Sequence, residues 1–379
     1  MTTDALVQLR HELHQHPELS GEEKLTAQRI VAFLEPLQPD SIYTSLGGHG
    51  VAAVFGKDTS TTVLLRCELD ALPVHESNRF AHRSVTSCKA HSCGHDGHMA
   101  ILAAVATRLT KQRPCAGRVV LLFQPAEETG QGAQAVVDDP QFQQLTPDYV
   151  FALHNLPGHP LGQVVIRDGP ITAASRGMSI ELTGVSAHAA HPETGRSPAP
   201  VLAALINALQ PLPAELANPD EIAFSTIVGA QLGEKAFGTA PATAQLWLTL
   251  RSELDSTMQN FVAYAEQAVQ QLAQQAGLTA AIHYADVFPA TVNASAPVAM
   301  VKQAAMQQDL LVPEHPFRWS EDFGVLTARY PGALFGLGAG TEQADLHHSD
   351  YDFPDALITI GCSVFLNIIE QALTTPATG

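Results

Sequence analysis

Between residues 91 and 98 the chain reads His-Ser-Cys-Gly-His-Asp-Gly-His, one thiol and three imidazoles within eight residues. Cys93 and His95 stand two apart, the acidic pair Glu127-Glu128 follows, then His154, and His348 lies near the C-terminus. Thiolate, imidazole and carboxylate are the ligand types that borderline-soft divalent cations such as Zn²⁺ take. Seventeen histidines make some chance clusters inevitable, but chance does not account for this density beside distant acidic and imidazole partners. A zinc finger is excluded by spacing, because no second Cys-x-x-Cys or His-x₃₋₅-His arm exists to close it.

Cys93, His95, Glu128, His154 and His348 supply five donors, enough for two cations with the Cys93 thiolate as a shared bridge. A single cation, with one or two of these residues in supporting positions, is the competing version. Two cations about 3.5–4 Å apart hold a hydroxide between them and polarise an amide or ester carbonyl. Glu127 and Glu128 are then expected to divide the work: if one binds metal, the other faces the bridging water as general base and returns the proton to the leaving amine. Asp70 is expected to hydrogen-bond the outer nitrogen of a ligand histidine, as carboxylates around metal sites commonly do. His188, in Gly184-Val-Ser-Ala-His-Ala-Ala-His-Pro192, belongs to a different part of the chain and would donate to an oxyanion only after a closure. His191 reads as a surface or capping residue.

The elements that must position these groups are legible as short apolar runs. Thr61–Arg66 leads into Cys67-Glu68-Leu69-Asp70, Gly117–Phe123 into Gln124-Pro125-Ala126-Glu127-Glu128, and Tyr149–Leu153 into His154. Such continuous runs suit strands buried on both faces, and Gly97–Leu109 suits a helix packed on their sheet. Strands alternating with helices imply an α/β fold, in which ligands gather beyond the carboxyl ends of the strands. Asp70, Glu127, Glu128 and His154 are therefore expected in one crevice. Residues 4–38 read as a helical opening interrupted at His16-Pro-Glu-Leu-Ser20, with His11, His14 and His16 on a solvated helix face.

From 174 to 287 the pattern becomes β-α-β-β-α-β, the ferredoxin-like split motif. It is expected as an inserted domain, with 1–173 and 288–379 forming the first. Two domains also fit a length of 379 residues. Apolar residues make up 45% and charged residues 15%, as in a globular protein with a sizeable core. A net charge of −18 argues against nucleic acid and anionic membrane surfaces as partners. The polar N-terminus lacks a basic segment followed by an apolar one, and no window approaches eighteen uninterrupted apolar residues. Five scattered cysteines point to free thiols and a reducing cytoplasm rather than a disulfide framework.

The order and spacing of Arg10-His-Glu-Leu-His-Gln-His-Pro-Glu-Leu-Ser20, Asp70-Ala-Leu-Pro73, Cys93-Gly-His-Asp-Gly-His98, Phe123-Gln-Pro-Ala-Glu-Glu128, Ser186-Ala-His-Ala-Ala190 and His348-Ser349 carry a family resemblance. The chain resembles the di-metal amidohydrolases of the hippurate hydrolase, N-acyl-amino-acid deacylase and auxin-conjugate hydrolase type, within the aminoacylase and metallo-carboxypeptidase clan. The resemblance implies a metallo-aminopeptidase-like catalytic domain with a mixed sheet flanked by helices, plus a ferredoxin-like α+β lid. It implies Cys93, His95, Glu128, His154 and His348 as ligands of two divalent cations (Zn, Mn, Ni or Co), Glu127 as base and His188 as the lid histidine that stabilises the oxyanion. Glu321-Asp322-Phe323 matches a motif near the family's substrate cleft. A small amide substrate is implied, and a homodimer through the lid domains. Two departures stand out: Glu68 where the family has Asp, and Gly238 where the lid carries an Asn thought to help hold the substrate. A dipeptidase or exopeptidase of the same clan is the alternative within enzymes, and a catalytically idle metal-binding protein the alternative outside them.

Overall fold

The computed structural model describes residues 3–374. The chain forms two compact units, Met1–Ile171 with Thr291–Glu314 and Asp322–Gly379, and Thr172–Ala290 with His315–Glu321. The first holds an eight-stranded sheet. Its leading strands in chain order are β1 (Ser41–Leu46), β2 (Gly50–Phe55), β3 (Thr62–Glu68), β4 (Arg118–Gln124) and β5 (Tyr149–Pro157). Across the sheet the order is β1-β2-β4-β3-β5, then Gly332–Gly340, Val164–Val165 and Leu310–Leu311. The four central strands, β4, β3, β5 and Gly332–Gly340, run parallel, and β1 and β2 form an antiparallel edge. Every residue of β3 is buried, which is why Val63-Leu64-Leu65 reads as a continuous apolar run rather than an alternating one. Glu68, Gln124 and His154 all lie toward the carboxyl ends of parallel neighbours.

A 17-residue helix, His95–Lys111, follows the cysteine turn and is buried without interruption from His95 to Thr107. Small residues allow that closeness. A methyl group added at Gly97 would stand 2.2 Å from the Phe353 ring. The closing helix Ala356–Thr374 is long and apolar enough to cross a membrane by length and composition. Its apolarity is accounted for by packing, since Leu357, Ile358, Val364, Phe365 and Ile368 belong to the core of this unit.

The second unit is a four-stranded antiparallel sheet in the order Ala223–Leu232, Thr243–Ser252, Ala174–Thr183, Thr279–Phe288. Helices Ala199–Leu209 and Asp255–Gln275 pack on it around Leu205, Phe261, Ala265 and Val269. This is the β-α-β-β-α-β order, with the fourth strand beside the first. One segment departs from the sequence division. Residues 315–321 join this unit, because Ala173 donates to the carbonyls of Phe317 and Trp319 and the Arg251 guanidinium to the Arg318 carbonyl and Ser320 Oγ.

The N-terminal helix Thr3–Gln15 presents a buried ionic cluster, contrary to the solvated histidine face expected of it. Arg10, 1% exposed, reaches Asp96 at 3.0 Å, Asp352 at 2.8 Å and Asp355 at 2.6 Å. His14 Nδ1 lies 2.9 Å from Asp96 and Nε2 3.2 Å from Glu76. Burial disfavours a charge on His14, but these two carboxylates outweigh it and raise its pKa to about 9. The folded value exceeds that of an unfolded histidine, so the stabilisation is complete below pH 6.5 and is lost as pH rises towards 9. Its size is on the order of 3 kcal/mol. Thermal unfolding from pH 6 to 9.5 should show a falling Tm for the native chain and a flatter, lower profile for His14→Ala. Parallel profiles would mean that His14 carries no such charge.

Candidate metal centre

Cys93 ends the segment before the buried helix and Gly94 caps it, with φ at +91°. That left-handed turn favours glycine. A Cβ there would also meet the Asn155 amide at 2.6 Å. The turn sets Cys93 and His95 on one side. His154 enters from β5, with Cys93 Sγ 3.5 Å from His154 Nε2. Both histidines are oriented by main-chain carbonyls: His95 Nδ1 lies 2.9 Å from the Asp70 carbonyl and His154 Nδ1 2.9 Å from that of Asn155. Carbonyls only accept, so each Nδ1 donates and each Nε2 turns towards the cluster.

Glu127 and Glu128 arrive from the turn after β4. His95 Nε2 is 3.8 Å from Glu127 Oε2 and 3.8 Å from Glu128 Oε1. Three of the groups of potential ligand atoms, each within 4.8 Å, overlap here: Cys93, His95 and His154; Cys93, Glu128 and His347; and His95, Glu127 and Glu128. Cys93 is common to the first two. Those five donors fit a pair of soft-to-borderline cations sharing a thiolate. The His95 Nε2 atom is buried and makes no hydrogen bond, an orphan that a cation between the carboxylates would satisfy.

At the C-terminal histidines the placement differs from the expectation. The structure brings His347, and not the expected His348, to this cluster: His347 Nε2 is 3.9 Å from Glu128 Oε2, whereas His348 joins none of the groups among the described residues. His347 adopts φ of +66°, unusual for a residue with a Cβ, and its amide donates to the Ser92 carbonyl at 2.8 Å. That bond ties the second histidine segment to the cysteine turn and selects the first of the two adjacent rings. Asp70 also differs in detail. Its carboxylate is 3.6 Å from His95 Nδ1, too far for a hydrogen bond, and its main-chain carbonyl takes that role. The carboxylate accepts instead from Ser20 Oγ at 2.7 Å and the Glu128 amide at 2.9 Å.

Electrostatics follow from burial and charge together. Burial opposes protonation of His95, yet Asp70, Glu68 and Glu128 hold its pKa up at about 10. Burial lowers His154 to about 3. Burial and the carboxylates of Glu128 and Glu127 push the Cys93 thiol well above its usual value. Ligation by Cys93 and His95 must therefore displace protons.

Sequence reasoning passed over the supporting layer. Glu68, the departure from the family's Asp, contacts Arg66 and lies 2.6 Å from His98 Nδ1. His98 Nε2 is 2.5 Å from Asn155 Oδ1, and Arg66 also reaches Asp322 at 2.6 Å. The signal was present, since His98 and Glu68 lie in the quoted motifs, but spacing alone does not separate a ligand from its support. His188 belongs to the second unit, on a two-residue strand paired with Thr239–Ala240. Its Nδ1 accepts from the Ala190 amide at 3.1 Å. Gly238, beside that strand, has open space where a side chain would stand.

A model of peptidase family M20/M25/M40 matches residues 64–371. The chain is 33% identical to the N-acetyl-L-cysteine deacetylase of Bacillus subtilis over 95% of its own length and 86% of that protein's. It is 29% identical to the hippurate hydrolase of Campylobacter jejuni over 96% of each chain. Among solved structures, the YXEP protein of Bacillus subtilis, described as a dinuclear metal binding peptidase from the M20 family, superposes with a TM-score of 0.83, 24% identity and 98% of each chain covered. The match over 64–371 covers most of the chain, and with these full-length relatives it places the protein in peptidase family M20/M25/M40.

Proposed function

We propose that this protein is a metal-dependent amidohydrolase that cleaves the amide bond of an N-acyl amino acid or a similar small conjugate. The observation that carries the proposal is the convergence of Cys93, His95, Glu128, His154 and His347 in two groups sharing one sulfur, with Glu127 beside them. Support for the substrate class comes from the relatives, an N-acetyl-L-cysteine deacetylase and a hippurate hydrolase. The dipeptidase alternative has no comparable support among them.

Two divalent cations held by those five residues would supply Lewis acidity and lower the pKa of a water. Zn²⁺, Mn²⁺, Ni²⁺ and Co²⁺ all suit a set of one thiolate, three imidazoles and one carboxylate. Glu127, only 5% exposed, takes the proton of the attacking water and returns it to the leaving amine. Asp70 does not touch the substrate in this reading. It fixes Glu128 through that residue's amide and His95 through its own carbonyl. His188 as oxyanion donor, the second unit as a lid and a homodimer through that unit rest on the family resemblance. Light scattering on purified protein tests the dimer. A cytoplasmic location is proposed from five free thiols, and fractionation of the source cells tests it.

Glu127→Gln should retain fold and cations yet lose about 10²–10⁴-fold in kcat, measured on a panel of N-acetyl-amino acids, hippurate and dipeptides. Near-native turnover would remove Glu127 from the proton-transfer role. Adjacent histidines provide an internal control for the ligand set. His347→Ala should weaken cation binding by about 10–100-fold, read by competition with a chromophoric chelator, while His348→Ala stays close to native. The reverse ranking would restore His348 as the ligand.

A further inference from the structure

The glutamate pair is presented by an unusual piece of backbone. Ala126, just before Glu127, has φ of +50°, a left-handed conformation that a residue with a Cβ adopts at a cost. Several main-chain groups around it are held. The Ala126 carbonyl accepts from the Gly132 amide at 3.0 Å, the Glu127 carbonyl from the Gly130 amide at 2.8 Å, and the Glu128 amide donates to Asp70 at 2.9 Å. The Ala126 amide reaches Glu23 Oε1 at 2.8 Å, more than a hundred residues away in the chain. Glu23 is fully buried, and the same oxygen also accepts from the Gly21 amide at 2.8 Å.

Glu23 belongs to none of the candidate ligand groups, and its burial has no ion pair to offset it among the described residues. A buried carboxylate is costly unless hydrogen bonds offset its lost hydration, and here the two main-chain amides on Oε1 do so. Ser20, three residues earlier, holds the carboxylate of Asp70, so the short connector Ser20–Glu23 grips both sides of the glutamate turn. We infer that Glu23 is a positioning residue: its carboxylate clamps the strained Ala126 peptide and thereby sets the direction of Glu127 and Glu128. The inference rests on the proposed roles of those two glutamates, but its consequence for cation binding is readable without any substrate.

The experiment measures cation affinity by chelator competition and kcat and KM on an N-acetyl-amino acid, for the native chain, Glu23→Ala, Glu23→Gln and Glu23→Ala with Ala126→Gly. Glu23→Ala should weaken cation binding and lower kcat by about 10–100-fold each with little change in KM. Glu23→Gln keeps an oxygen acceptor and should recover most of both. Glycine at 126 removes the left-handed penalty and should recover part of the loss. If the alanine variant does not fold, Glu23→Asp, which withdraws the oxygen by one methylene, carries the same expectation. Native cation affinity in the alanine or aspartate variant would overturn the positioning role, as would equal damage from Gln and Ala. Absence of amide hydrolysis in the native chain alongside the expected affinity ranking would instead count against the proposed reaction and leave the clamp standing.

Discussion

The buried contact of Asp96 with Arg10 and His14 is the interaction on which the site depends. Asp96 occupies the first turn of the helix that carries His95, and both its partners come from the N-terminal helix. A carboxylate this deeply buried persists only when paired and hydrogen-bonded. Removing Arg10 or His14 would leave the Asp96 charge with only one of its two partners, next to the turn that presents Cys93 and His95. The histidine-rich opening of the chain therefore serves as a foundation for the ligands rather than as ligands itself.

Around that foundation the fold supplies direction. Parallel strands bring Glu68, Gln124 and His154 to neighbouring carboxyl ends. The turn after β4 then adds Glu127 and Glu128, and the segment after Gly332–Gly340 adds His347. Main-chain carbonyls, not carboxylates, orient the two best-buried ring ligands. This leaves the Asp70 carboxylate available to the Glu128 amide and Ser20, and couples a strand end to the glutamate turn.

Much of this was readable in the sequence because the signals were local. Apolar runs ending in polar residues marked the strand ends, and the change of pattern at 174 marked the second unit. What was not readable was set by tertiary contacts. Two adjacent histidines are equivalent to any spacing argument, and only the backbone of His347, fixed by its bond to Ser92, distinguishes them. His14 looked like a solvated face residue because its partners, Asp96 and Glu76, are distant in sequence. Residues 315–321 looked continuous with their neighbours until their carbonyls were seen to pair with Ala173 and Arg251. For Glu23 only the bond to the nearby Gly21 amide is local, and the contact that matters for the glutamate turn, with the amide of Ala126, is not.

The central claim is that one sulfur belongs to two cation sites. Equilibrium dialysis of chelator-stripped protein against Mn²⁺ or Zn²⁺ tests it most directly, comparing the native chain with Cys93→Ala. A shared thiolate predicts two cations per chain and a loss of affinity at both sites in the variant. One cation per chain, or a variant that binds two as tightly as the native protein, would contradict the account.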